Sequence, residues 1–327
     1  MNFFKKNVCG LRSSKEMRNF GFFITEINIK HQDMNDKNFI PDSEFVINDD
    51  GSAFHIHLKP EQLCDNIVVC GDPGRVNMIA SYFDTQDFEV QSREFHTIGG
   101  TLRGKPIMAL SHGIGPDNID IVMTELDALA NVDFSTRLPK AEHRALNIVR
   151  IGTSGGMQPD VPVGSSVIAA KSLGFDGVLN YYAGRNQVCD LDFEDKFCEF
   201  VKWNPTFARP YVVDADPMLV EKIGRDDMIR GYTISAVGFY GPQGRRVRLD
   251  LTEPELNSRI QQFEYNGGHI TNYEMESAAL QGMAKLLGHH AMTVCSIIVN
   301  RMTTLSNPNY KTAVNDLVKT VVERLVD

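Results

Sequence analysis

The stretch Ile67-Val68-Val69-Cys70-Gly71-Asp72-Pro73-Gly74-Arg75 decides the fold class: an apolar run of strand length passes straight into a Gly-Pro turn that opens a helical pattern. The same grammar recurs along the chain. Ile107–Leu110 precedes Gly113-Ile114-Gly115, and Ile148–Ile151 precedes Gly152-Thr153-Ser154-Gly155-Gly156. Val167–Ala170, Thr233–Val237 and Met292–Val299 read as further strands. Helical spacing runs over Arg75–Phe83, Asn118–Ala130, Glu274–Leu287 and Lys311–Val326. Strand-length runs alternating with amphipathic stretches predict an α/β fold, a single domain of three layers (α/β/α) around a central mixed, mainly parallel sheet. Sheets of this kind bind ligands in the loops beyond their strands, and here those loops are the Gly-rich ones.

Composition narrows the function classes. Hydrophobic residues make up 42% and charged residues 23% of the 327, an ordinary globular balance. The net charge of -9 argues against non-specific binding to nucleic acid or to an anionic membrane, so any anion site must be a local exception. The six cysteines are scattered without a C-x-x-C pair, which points to reduced thiols in a cytoplasmic protein rather than to zinc or a disulfide framework. No apolar run approaches the roughly 20 residues that span a bilayer. Residues 1–48 are basic at first and then rich in Asn, Asp and Lys, a poor core former. They read as a flexible extension, or as a start placed upstream of Met17 or Met34, with a cleaved targeting peptide as the alternative. The folded body is expected over 49–327.

Several loops carry candidate anion chemistry. Gly71 and the helix start behind it can bring backbone N–H groups close to an anion, with Arg75 supplying charge; the alternative is a plain strand-to-helix turn with a solvated Arg. Arg150 ends a buried apolar run, where an unpaired guanidinium is costly, so it must meet either a bound anion or an internal carboxylate. Thr153 follows it with a hydroxyl. Ser92-Arg93-Glu94-Phe95 sets opposite charges beside a ring, which taken alone is a surface ion pair. Neither a Gly-x4-Gly-Lys-[Ser/Thr] nor a Gly-x-Gly-x-x-Gly motif is present, so a nucleotide tail is not the expected anion.

Taken in order, Gly71-Asp72-Pro73-Gly74-Arg75, Arg93-Glu94-Phe95, Arg150-Ile151-Gly152-Thr153, Phe239-Tyr240-Gly241-Pro242-Gln243-Gly244-Arg245, Asn272-Tyr273-Glu274-Met275-Glu276 and Val299-Asn300-Arg301 resemble the hexameric, single-domain nucleoside phosphorylases, and specifically the uridine branch of that family. The resemblance runs from about Phe54 to the C-terminus. It implies a phosphate pocket of Gly71, Arg75, Arg150 and Thr153, with Arg93 reaching in from a neighbouring subunit. His55 would also come from the neighbour, to the ribose 5′-hydroxyl, although His57 lies two residues away and could confuse the register. Glu274, Met275 and Glu276 would hold the ribose, with Met275 against the sugar and Glu276 on its hydroxyl pair. Phe239, Gln243 and Arg245 would read the base, Gln243 offering a donor and an acceptor to uracil.

The resemblance further implies phosphorolysis of uridine to uracil and ribose 1-phosphate, with deoxyuridine and thymidine as further candidates. It implies a homo-oligomer, with a dimer as the active unit and a hexamer built as a trimer of dimers. No organic cofactor or metal is expected beyond a monovalent cation near Glu94. The competing readings are a purine nucleoside phosphorylase, a hydrolytic nucleosidase of the same fold, and a catalytically silent nucleoside-binding homologue. The late strand Ser296-Ile297-Ile298-Val299-Asn300-Arg301 lacks the Asp expected of the purine enzyme. Two departures from the family pattern are the extension before about Asp49 and an inserted loop over Asp133–Ala145.

Overall fold

The computed structural model describes residues 37–327, and the expectations for residues 1–36 lie outside the described residues. The strands are β1 (Asn66–Cys70), β2 (Thr85–Ser92), β3 (Phe95–Leu102), β4 (Lys105–Ser111), β5 (Val132–Asp133), β6 (Leu138–Pro139), β7 (Asn147–Gly156), β8 (Ser166–Gly174), β9 (Tyr211–Asp214), β10 (Ile229–Ser235), β11 (Glu264–Tyr265), β12 (Gly268–Glu274) and β13 (His290–Asn300). One large sheet runs β11-β12-β10-β8-β13-β7-β1-β4-β3-β2, with β9 added on β8. A further β12–β7 pairing closes β7, β13, β8, β10 and β12 into a ring.

The class is α/β as expected, but the sheet is less parallel than the alternation of elements suggests. Strand β1 runs parallel to β4 and β7, β13 to β7, and β10 to β8 and β12. The pairs β2–β3, β3–β4, β7–β12, β8–β13, β8–β9 and β11–β12 are antiparallel. The expectation of a mainly parallel sheet is corrected accordingly. Two of these six antiparallel pairs are made by β3 with β2 and β4, through hairpins two residues long (Arg93-Glu94 and Arg103-Gly104), and the outer strand β2 is polar and largely exposed. A strand without an apolar face leaves little signal in the sequence.

Alternation within the central strands decides which side of the sheet each residue faces. Ile67 and Val69 of β1 point into a core completed by the helices Pro116–Asn131 and Ser277–Leu287. Val68 and Cys70 point the other way, onto the helices Pro73–Ala80, Pro217–Gly224 and Tyr310–Val326. Helices therefore cover both faces, and only strand ends and loops remain free for chemistry.

The inserted loop has a structural task. It contains β5 and β6, Lys140 Nζ donates to the Ala130 carbonyl at the end of one helix, and His143 Nε2 donates to the Leu287 carbonyl at the end of another. Arg137 (φ 60°) takes the last part of the expected extension: its guanidinium donates to the carbonyls of Ile40 (3.2 Å) and Phe45 (2.9 Å) and pairs with Asp42. Phe45 is buried against Phe134, ring centroids 5.3 Å apart. Residues 40–48 are thus fastened to the body.

Candidate active site

The Gly-rich loops after β1 and β4, the C-terminal half of β7, the ends of β12 and β13 and the loop after β10 meet around one cavity of about 670 Å³; Gly152-Thr153-Ser154-Gly155-Gly156, expected as a loop, instead continues β7 as strand paired with β13 and β12. Gly71 lies where two of these loops touch, since a Cβ there would sit 2.9 Å from the Gly113 carbonyl oxygen. Pro73 opens the next helix, two residues before the expected start, and Asp72 caps it by accepting from the Gly74 N–H at 2.9 Å. Arg75 lines the cavity half-buried and donates to the Ile151 carbonyl at 3.0 Å. It makes no ion pair among the described residues. Thr153 also lines the cavity.

Arg150 resolves its alternatives in favour of carboxylates. It is 4% exposed, and its Nη1 lies 2.8 Å from Glu274 Oε2 while Nη2 pairs with Glu276 Oε2. Burial opposes its charge, but Glu276 and then Glu274 outweigh burial and hold the guanidinium above its ordinary pKa. Its Nε donates to His112 Nε2 at 3.2 Å. That acceptor role needs a neutral ring, and burial, followed by the Arg150 charge, pushes the His112 pKa well below the usual imidazole value. Gly152 leaves room for this cluster, because a Cβ would come within 2.7 Å of Arg150 Nη1.

Glu274 closes β12, and the helix begins only at Ser277, so the helix expected from Glu274 starts later. The cause is capping: the Glu274 carboxylate accepts from the N–H groups of Glu276 (2.9 Å) and Ser277 (3.0 Å) and from the Ser277 hydroxyl (2.5 Å). Glu274 is therefore largely spent on structure. Glu276 accepts from the Gly115 N–H at 2.8 Å through Oε1, and burial raises its carboxyl pKa despite Arg150. Met275 and Glu276 both line the cavity.

Phe239, Gln243 and Arg245 line the same cavity. Gln243, 2% exposed, is held by more partners than the sequence suggested. Its Oε1 accepts from Arg245 Nη1 and, at 2.9 Å, from Arg301 Nη2, while Asn257 Nδ2 (3.0 Å) and Arg301 Nη1 donate to its backbone carbonyl. The Arg245 guanidinium stacks 3.9 Å above the Phe239 ring, on a face expected to receive a base. Burial, then the Arg245 charge, lowers the Arg301 pKa to about 10. Neither guanidinium has a carboxylate partner among the described residues. Sequence reasoning missed Arg301 and His112. The first sits in the quoted Val299-Asn300-Arg301 run at the end of a buried strand, the same signal that singled out Arg150.

Arg93 and His55 lie outside this cavity, but near each other. Arg93, at the β2–β3 turn with φ 55°, places its guanidinium 5.6 Å from the Phe54 ring. His55 is fixed by the buried carboxylate of Glu125, which accepts from the N–H groups of His55 (3.0 Å) and Ile56 (2.9 Å) and lies 2.6 Å from His55 Nδ1. The Nδ1–H therefore donates to Glu125, which fixes the orientation of the ring. His57 instead faces Asp50 and Asn48. A separate His/Asp group, Asp127, His143 and His289, gathers beneath the inserted loop and lines no part of the cavity. Leu146 N–H donates to His289 Nδ1, so the His289 proton faces Asp127.

Residues 65–326 match the model of the phosphorylase superfamily. The chain belongs to this superfamily. Among its relatives, the uridine phosphorylase of Escherichia coli is 30% identical over 83% of this chain and 96% of its own length. That of Thermococcus kodakarensis is 29% identical over 78% of this chain and 80% of its own. A Trypanosoma brucei nucleoside phosphorylase described as showing uridine phosphorylase activity superposes with a TM-score of 0.79 at 26% identity, covering 86% of this chain and 99% of that one. Among the described residues, no helix is long and apolar enough to cross a membrane.

Proposed function

We propose that the protein is a uridine phosphorylase, converting uridine and inorganic phosphate to uracil and ribose 1-phosphate. The observation that carries this reading is a single cavity lined by Arg75, a guanidinium with no ion pair among the described residues, and Thr153, which we assign to a phosphate end, and by Gln243, whose side-chain oxygen is shared by two further guanidiniums, which we assign to a base end. Phosphate binds at the first end, on Arg75, the Gly71 turn and Thr153, with Arg150 setting the wall through Glu274 and Glu276. The ribose lies between, against Met275, its hydroxyls on the free lone pairs of Glu276. The base lies at the second end.

A phosphate oxygen attacks C1′ as the C1′–N1 bond breaks, and that electron pair leaves on uracil, which later takes a proton from water. Positive charge on the sugar faces phosphate and Glu276, and negative charge on the base faces Arg245 and Arg301, so electrostatic placement serves instead of a protein nucleophile. Base entry requires Arg245 to leave the Phe239 face. The missing Asp at the end of β13 favours a pyrimidine over a purine leaving group.

The active unit is a dimer in which Arg93 and His55 complete the neighbour's cavity; their proximity across the Phe54 ring and their distance from this chain's own cavity support that reading, and a hexamer of three such dimers is its extension. Glu94, which lines the cavity and makes no ion pair among the described residues, fits a monovalent cation at the shared edge. The test is a nucleoside panel assayed with and without phosphate. Loss of uridine that needs phosphate supports the assignment; loss without phosphate makes the protein a hydrolase, and turnover of inosine alone makes it a purine enzyme.

A further inference from the structure

Behind the turn that carries Gln243 lies a second cavity, of about 440 Å³, that shares Gly241, Pro242 and Gly244 as a wall. Its opposite side is aromatic. Phe175 and Trp203 have ring centroids 4.6 Å apart, and Phe207 meets Trp203 edge-on at 5.6 Å. The charge in its lining is negative throughout, from Asp176, Asp250 and Glu253, with no Lys or Arg among the lining residues. Two of these carboxylates already have cations: Asp250 pairs with Arg246 at 2.7 Å and Glu253 with Arg259 at 2.9 Å.

Asp176 differs. It makes no ion pair among the described residues and accepts only from neutral groups, the Tyr211 hydroxyl (2.9 and 3.1 Å) and the Val178 N–H (2.8 Å). Burial raises its carboxyl pKa, as expected for a carboxylate taken out of water without a counter-ion. Rings offer their negative faces to a cation, and a desolvated carboxylate beside them adds the full charge.

We propose that this second cavity binds an organic ammonium ion, its charged head enclosed by Phe175, Trp203 and Phe207 against Asp176, and its apolar substituent running toward Leu256. A metal ion or a hydrated ammonium does not fit the chemistry, because the rings supply no lone pairs to replace lost water. Since the wall is the backbone of the turn holding Gln243, occupancy also braces the base end of the first cavity.

Trp203 is the only tryptophan of the sequence, so its emission reports the cavity directly. The full-length protein is titrated with choline chloride, with sodium chloride at matched ionic strength as blank, and with 3,3-dimethylbutan-1-ol, the uncharged carbon analogue of choline. The proposal predicts a saturable change in Trp203 emission with choline, at least about tenfold weaker binding of the alcohol, and a choline affinity at least about tenfold lower in Asp176→Asn, the size expected for losing one charged partner. Equal binding of choline and the alcohol, or no saturable response to choline, overturns it. The comparison of the two probes uses the unaltered protein, so it decides the matter even if Asp176→Asn fails to fold.

Discussion

Replacing Gln243 with Ala removes the side-chain oxygen that two half-buried guanidiniums share. In the parent, Arg301 Nη2 reaches Gln243 Oε1 at 2.9 Å and Arg245 Nη1 uses the same oxygen. The turn itself keeps its backbone ties, with Asn257 Nδ2 on the Gln243 carbonyl at 3.0 Å and Tyr273 Oη on Asn257 Oδ1 at 2.9 Å. Folding should therefore suffer little, by about 1–2 kcal/mol for the stranded guanidiniums. Catalysis should suffer more. Two bonds to a base that becomes anionic in the transition state are lost, at about 1.5 kcal/mol each, which amounts to roughly a 100-fold fall in kcat/KM for uridine. The assay is initial-rate loss of uridine at saturating phosphate, paired with the phosphate KM, which should stay within about threefold because Arg75 and Thr153 are untouched. A kcat/KM for uridine within about twofold of the parent refutes the placement of the base on Gln243.

Four further outcomes are expected. Arg75→Ala should raise the phosphate KM by roughly 10- to 100-fold, with a smaller change for uridine, since it removes one charge-assisted phosphate contact; the split is read from a two-substrate kinetic grid. Arg93→Ala should depress activity while size-exclusion chromatography shows the parent oligomer, and an unchanged phosphate KM would count against a site completed by a neighbour. The His112 pKa lies well below the usual imidazole value, so below pH of about 6.5 the unfolded chain takes up a proton that the folded chain refuses, and stability falls with pH. His112→Gln, which keeps an acceptor for Arg150 but cannot titrate, should flatten that slope in urea melts run at pH 7 and pH 5. Arg137→Ala should lower the urea midpoint by an amount equivalent to about 1–3 kcal/mol, because it frees the carbonyls of Ile40 and Phe45, without altering either KM.

The sequence was most informative where a feature was costly enough to need a reason. Short apolar runs followed by glycine marked β1 and β7; the turn after β1 does line the cavity, whereas the glycines after Ile151 continue β7 as strand and line it from there. Arg150 within a buried run announced a carboxylate or an anion, but only coordinates could reveal that Glu274 and Glu276 are the partners, since β7 and the β12 end are more than a hundred residues apart. The roles of Glu274 and Glu276 separate for a local reason invisible in spacing: the first caps the helix that the second precedes. Glu125 could not be suspected at all, because a single Glu on an amphipathic helix reads as solvated, and it becomes a buried anchor for His55 only through a contact 70 residues away. The polar edge strand β2 was silent for the opposite reason, as it buries too little to leave a pattern.

The measurement that bears most directly on the central claim is phosphorus NMR of a reaction containing purified protein, uridine and inorganic phosphate. If guanidiniums at one end of the cavity hold phosphate for attack on C1′, ribose 1-phosphate should accumulate in equal amount with uracil. Uracil accompanied by free ribose, with the inorganic phosphate signal undiminished, would contradict it.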